Sequence, residues 1–188
     1  MCARTWTTNC VAQQHDQGLN TVDSSLQTLL DYKAWGDQEL MAFVCEQHSS
    51  APPELLHKAL RLMNHIHVVD CIFAAHLAGQ AHPYSSTNTE DTPTPEELLW
   101  RMQETNAQLQ TLAQNLQPQQ ALQRIHFAFT DGDGGGMSPF EMLLHVCVHS
   151  TYHRGQVGQM FKDAGIAPPR ELLTRKLHTQ EPGRRHPC

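Results

Sequence analysis

His145, His149 and His153 recur at intervals of four residues. On a helix that spacing stacks side chains one turn apart on a single face. Two imidazoles so placed can reach one ion, the geometry that HExxH helices use for zinc. Met142, Val146, Val157 and Met160 flank the same stripe, so the histidines fall on the face expected to be buried, where an imidazole without a partner carries a desolvation cost. His65, between Leu62 and Val69 on a second apolar stripe, is the candidate third ligand from a facing helix, as bundles build metal sites. The chain holds 13 histidines, so roughly one i,i+4 pair is expected by accident, whereas three in series should arise in about one such sequence in twenty. Spacing alone leaves two readings open: a metal site, or a row of hydrogen-bonded core histidines.

Three protein nitrogens leave a coordination position for water or substrate. An ion there would bring the pKa of a bound water or thiol toward neutrality. On the metal reading the site takes one divalent ion, zinc or nickel first, with iron or copper also compatible with imidazole. His145 lies a further turn away, and the rise from residue 145 to 153 is too great for one ion to be reached by all three; it is expected to support a ligand from behind or to pack beside the ligands. Gln156, seven residues beyond His149, shares its face and either touches the open position or sits at the bundle mouth. Tyr152 and Arg154 flank the ligands and could bind an anionic substrate, although an arginine there is also what a solvated or ion-paired surface would carry. Asp70 is off the face of His65 by roughly 140° and is expected to pair with His67. Gly155 is expected to permit a close helix approach, and Cys71 and Cys147, off the ligand faces, are expected to be core thiols. Asp131-Gly132-Asp133-Gly134 resembles the opening of a calcium loop, but Gly135 and Met142 stand where ligands should, so a hairpin turn is expected. The glycine run lacks the Gly-Lys-Ser/Thr of a phosphate loop.

Four helical segments must position these groups. Residues 1–20 lack periodicity and are expected to be a loose extension. The first helix is expected from about Val22 to Gln47, with Val22, Leu26, Leu29, Leu40 and Val44 on one stripe and Gly36 as an interruption that the apolar face overrides. Pro52-Pro53 starts the second, which runs to about Leu77 with Leu55, Leu62, Val69 and Ile72. A loop over 79–93 follows. Thr94, Pro95 and Glu97 supply a capped start to the third, whose stripe is Leu98, Met102, Leu109, Leu112 and Leu116. The β-like run Ile125–Phe129 and the following glycines predict a small hairpin. Ser138, Pro139 and Glu141 then cap the fourth helix, which stops at Gly165. The fold class is all-α: a four-helix bundle with one long crossover and a small hairpin before the last helix. The domain is expected over 21–169, with 170–188 as a basic tail.

A chain of 188 residues suits one domain with a sizeable core. The formal charge is -6, from 13 Lys plus Arg against 19 Asp plus Glu, and the one weak basic cluster, Arg170, Arg175, Lys176, Arg184 and Arg185, reads as a solvated end, so nucleic-acid binding is not expected. No apolar run is long enough to span a bilayer, and Met1–Asn20 lacks the features of a signal peptide. The six cysteines form no CxxC and read as reduced thiols in a cytoplasmic protein.

The stretch His149-Ser150-Thr151-Tyr152-His153-Arg154-Gly155-Gln156 is similar to the HGTYHRGQ-like stretch of the DinB/YfiT-like family. Leu62-Met63-Asn64-His65 through Asp70 resembles that family's second-helix segment, and Tyr32-Lys33-Ala34-Trp35-Gly36 its YxxWA-type element, with Gly36 for the usual Ala. The resemblance covers roughly Val22 to Pro169. It implies a divalent metal on His65, His149 and His153, and a homodimer. It further implies a metal-dependent transferase or isomerase that activates a low-molecular-weight thiol such as glutathione, bacillithiol or mycothiol toward an electrophile. A metal-hydroxide hydrolase and a non-catalytic, stress-associated metal-binding protein are the alternatives.

Overall fold

A computed structural model of the chain describes the backbone over residues 9–186 and side chains from Ser24 onward. Its elements are α1 (Asn9–Gln47), α2 (Pro53–Leu77), α3 (Pro95–Asn115), a single-turn α4 (Pro118–Ala121), strands β1 (Ile125–Ala128) and β2 (Gly134–Met137), α5 (Pro139–Asp163) and α6 (Leu173–Gln180), with a final 3-10 turn over Pro182–Arg184. The four expected long helices are α1, α2, α3 and α5. Both α1 and α2 pack along α3 and α5 but touch each other much less, so α1 and α2 stand on one diagonal of the bundle. None of the described helices is long and apolar enough to cross a membrane.

The boundaries follow from local chemistry. The Ser138 hydroxyl accepts from the Glu141 N–H while the Glu141 carboxylate accepts from the Ser138 N–H, a complete capping box. At α3 only half of that arrangement forms: Thr94 accepts from the Glu97 N–H, but the Glu97 side chain turns to Arg101, one helical turn on. Gly165, at φ +77°, ends α5 in a left-handed turn in which the Ile166 N–H reaches back to Phe161 O. The hairpin forms as expected, pairing Ile125 with Met137 and Phe127 with Gly135. Its Ile125, Phe127 and Met137 lie against the bundle core.

Two differences concern the ends. Backbone helix begins at Asn9 rather than near Val22; residues 1–8 of the expected loose extension lie outside the described residues. The stretch after Asn9 has no proline and a single glycine, Gly18, so helix can propagate where no apolar stripe announces it. The segment from 170 onward is not merely solvated: Lys176 is buried and Glu171 pairs with the buried Arg154.

The core falls into two apolar clusters. One gathers Leu40, Val44, Met63, Leu98, Val157 and Phe161, and the other Leu26, Leu30, Phe73, Leu109, Met142 and Val146. Along α1, α3 and α5, residues of a polar layer lie between the two clusters: Lys33 and Asp37, Asn106, and Ser150 and Arg154; on α2, Asp70 joins the same layer just after Val69 of the second cluster.

Candidate metal centre

His65 on α2 and His149 and His153 on α5 converge, as α2 and α5 are adjacent in the bundle. One ring nitrogen from each lies within 4.8 Å of the others, and among the described residues this is the one group of three or more such side chains. His65 Nε2 and His149 Nε2 are 3.0 Å apart; ring centroids are 4.9 Å apart for His65–His153 and 4.5 Å for His149–His153. In a tetrahedral site with Zn–N of about 2.0–2.1 Å, nitrogens stand about 3.3 Å apart, so the triad needs only small adjustments to close on one ion.

The outer nitrogens decide how the rings present themselves. His65 Nδ1 is 3.0 Å from Thr87 O, and a carbonyl can only accept, so Nδ1 carries the proton and Nε2 keeps its lone pair. His153 Nδ1 is 2.7 Å from Gln156 Oε1, which fixes the same tautomer. Pinning the far nitrogen is how proteins orient metal-binding histidines. His149 Nδ1 is buried without a partner. Burial, with His153, His65 and His145 nearby, lowers the His149 pKa to about 3. Burial likewise lowers that of His65, against the Thr87 bond. All three rings are half-buried, which places the site at the edge of the core where solvent can reach it. The residues present therefore fit a divalent ion of the borderline, imidazole-binding kind.

The loop over 79–93 is tied down beside the site. Asn64 Nδ2 donates to Thr89 Oγ1 at 2.6 Å, and Arg61 donates to the Thr89 and Glu90 carbonyls. The long crossover is thus fastened to the turn of α2 that carries His65.

The remaining expectations divide. Gln156 holds His153, as described. His145 stacks on His149 at 5.5 Å between centroids and lies 4.7 Å from Phe73, a packing position. Tyr152 is 64 % exposed with its ring 5.0 Å from that of His153, on the solvent side of the triad. Arg154 is only 1 % exposed, with its guanidinium donating to Asp37 Oδ1 at 2.7 Å and Glu171 Oε2 at 2.8 Å. Its charge is already matched within the core, so anion binding by Arg154 is not supported. Asp70 does not pair with His67; its Oδ2 accepts from Lys33 Nζ at 2.6 Å, because Lys33 on α1 projects into the same layer. His67 instead lies beside Thr105 and Cys71. Gly155 is exposed, and a Cβ there would meet nothing within 4 Å, so it serves no close helix approach. Gly36 does: its added Cβ would lie 2.9 Å from Arg154 Nε and from Glu171 Oε1.

Behind the histidines lies a buried ion layer that their spacing does not announce. Lys33 Nζ donates to Asp37 Oδ2 at 2.9 Å, Asp70 Oδ2 at 2.6 Å and Asn106 Oδ1 at 2.7 Å. Asp37 also accepts from Asn106 Nδ2 at 3.0 Å and Ser150 Oγ at 2.7 Å. Burial disfavours charge on Lys33, but Asp37 and Asp70 outweigh it and its pKa is raised. Burial likewise opposes charge on Asp37, but Lys33 and Arg154 hold its pKa well below the usual carboxylate range. Asp70, buried and sharing one ammonium with a second carboxylate, is pushed up to about 7. A signal was present: Leu26, Leu30, Lys33, Asp37, Leu40 and Val44 follow a regular 4-3-4-3-4 spacing, so a charged pair occupies core positions.

The DinB family model matches residues 19–184 of the chain. No curated protein matches it.

Proposed function

The chain belongs to the DinB family, and from that premise we propose that it is a divalent-metal enzyme of thiol chemistry. The metal would be held by His65, His149 and His153, with zinc or nickel first and iron or copper also suited to three imidazoles. The observation that carries the reading is the convergence of three ring nitrogens, two of them with the opposite nitrogen pinned by Thr87 and Gln156. A cation bound there supplies a Lewis acid that favours the ionised form of a low-molecular-weight thiol, for transfer or isomerisation of an electrophile.

The chain's own residues do the rest. Thr87 and Gln156 hold the tautomers that leave Nε2 lone pairs free on His65 and His153. The three-ligand set leaves a coordination position, and the half-buried setting of the rings supports access by a small molecule. An external thiol is favoured over Cys45, Cys71 or Cys147 as nucleophile because burial raises the pKa of each, Cys147 to about 12. The proposal includes a cytoplasmic homodimer.

Elemental analysis of untagged protein beside His149→Ala tests the site. Near-stoichiometric metal in the parent and its loss in the variant is the expected result; equal metal in both retires the site. A panel of glutathione, bacillithiol and mycothiol with electrophilic acceptors then tests the activity on metal-loaded protein. Thiol-dependent turnover lost in His149→Ala is expected. Thiol-independent hydrolysis of an ester panel would instead favour a hydrolase, and silence in both would favour a non-catalytic metal protein.

A further inference from the structure

A second pair of histidines lies outside the triad. His76 sits in the last turn of α2, and His82 follows in the crossover loop, with ring centroids 5.2 Å apart at an interplanar angle of 81°. His76 Nε2 and His82 Nδ1 are each buried and have no hydrogen-bond partner. Two orphaned imidazole nitrogens on neighbouring rings are costly unless something satisfies them.

We propose that His76 and His82 form a second, weaker binding site for a borderline divalent cation such as zinc, nickel or copper. Three features support it besides the orphaned nitrogens. Two imidazoles bound tetrahedrally to one ion have centroids about 5 Å apart, and the separation here matches that and the spacing within the triad. The pair lies at the carbonyl end of a 25-residue helix, where the backbone dipoles favour positive charge. Burial, with His82 beside it, lowers the pKa of His76, which keeps its lone pair available near neutral pH. Two protein ligands leave the remaining positions to water, so an ion there is held loosely and exchanges readily.

Rings connect this pair to the triad: His76 to Phe73 at 6.2 Å, Phe73 to His145 at 4.7 Å, and His145 to His149 at 5.5 Å. Three ring contacts thus separate the pair from the triad.

The test is a competition titration of the full, untagged chain with Zn2+ against a chromophoric chelator near pH 7.5. The parent should bind two equivalents, the second roughly tenfold or more weakly because it has one protein ligand fewer. His82→Phe keeps a ring in contact with His76 while removing the nitrogen; it should lose only the weak equivalent, with thermal stability close to that of the parent. The triple variant His65→Ala, His149→Ala, His153→Ala should lose the tight equivalent and retain the weak one. A parent that binds one equivalent with the tight affinity, or a weak equivalent that survives His82→Phe, overturns the proposal and leaves the pair as edge-to-face packing. If the parent binds a single weak equivalent that His82→Phe removes and the triple variant keeps, this pair is a site and the triad is not.

Discussion

Replacing Asp37 by Asn tests the ion layer most sharply, because the geometry dictates how the amide must fail. Oδ1 accepts from Ser150 Oγ and Arg154 Nη1, and Oδ2 from Lys33 Nζ and Asn106 Nδ2. An asparagine has one carbonyl oxygen, so in either orientation its NH2 faces two donors. Two buried donors then lose their acceptor, at about 1–3 kcal/mol each, and two buried cations lose a counter-charge. Breaking a buried ion pair by removing one partner costs about 3–5 kcal/mol, and the same figure is expected here. Against a total stability of about 5–15 kcal/mol, that is a large fraction, equivalent to a fall in Tm of roughly 6–20 °C for a chain of this size. Urea unfolding should show a lower midpoint at unchanged slope. Adding Arg154→Met should cost less than the sum of the two single losses, since the guanidinium left with Glu171 as its one remaining carboxylate is then gone. A loss below about 1 kcal/mol in Asp37→Asn, or full additivity in the double variant, would mean that Asp37 does not balance the two buried cations.

Three further outcomes follow from single contacts. Gln156→Leu, which frees His153 Nδ1, should weaken metal binding roughly 10–100-fold with little change in metal-free stability; unchanged affinity would remove Gln156 from the site. Gly36→Ala gains up to about 1 kcal/mol of helix propensity but places a Cβ against Arg154 and Glu171, so a net loss of about 1 kcal/mol is expected, and a raised midpoint would mean the pair yields easily. His67, 6 % exposed, has its pKa lowered to about 4 by burial and then by Arg101 and Lys33. The unfolded chain therefore binds a proton there from about pH 6.5 downward while the folded one resists until about pH 4. Stability rises with pH across that window and falls on acidification by up to about 3 kcal/mol from this residue. Asp70, raised to about 7, works in the opposite direction, holding a proton in the folded state that the unfolded chain has released. His67→Gln should flatten the acid limb between pH 6.5 and 4, and an unchanged limb would show that His67 protonates without cost.

The helices and their caps were legible because they rest on local chemistry. Ser138-Pro139-Glu141 satisfies its own backbone within four residues, and an apolar stripe repeats within each helix. The triad was legible for a related reason: two of its members lie one turn apart on a single helix, and the third occupies a core-facing position. The ion layer was hidden because its partners are distant in the chain. Nothing near Asp70 announces Lys33, which lies 37 positions earlier, and nothing near Arg154 announces Asp37, which lies 117 positions earlier. An arginine beside a ligand histidine suggests a substrate contact when read alone. Lys33 and Asp37 within a run of leucines was the available warning, because a charged pair at core positions requires partners on other helices. The tail's contribution was hidden for the same reason, since Glu171 gains its role only from Arg154.

The ion layer and the triad share two helices, and that sharing has a measurable consequence. His65 and Asp70 are both on α2; His149, His153, Ser150 and Arg154 are all on α5. Asp70 is bound to Lys33, and Ser150 and Arg154 to Asp37, so α1 fixes the register of α2 against α5 through one buried network. A three-ligand site needs its groups held to within about 0.5 Å, and buried ionic groups are best attested in fixing register. Asp37 spends its hydrogen bonds on Lys33, Asn106, Ser150 and Arg154, none of them a ligand. Asp37→Asn should nevertheless weaken metal binding. Leu98→Ala, a fully buried change in the apolar cluster at one end of the bundle, should cost a comparable 2–5 kcal/mol or so in stability and leave affinity nearly unchanged. The two variants, titrated with Zn2+ under conditions where both are folded, separate register from general stability. Equal losses of affinity in both would mean that the layer merely adds stability, and the link between the buried charges and the site would be withdrawn.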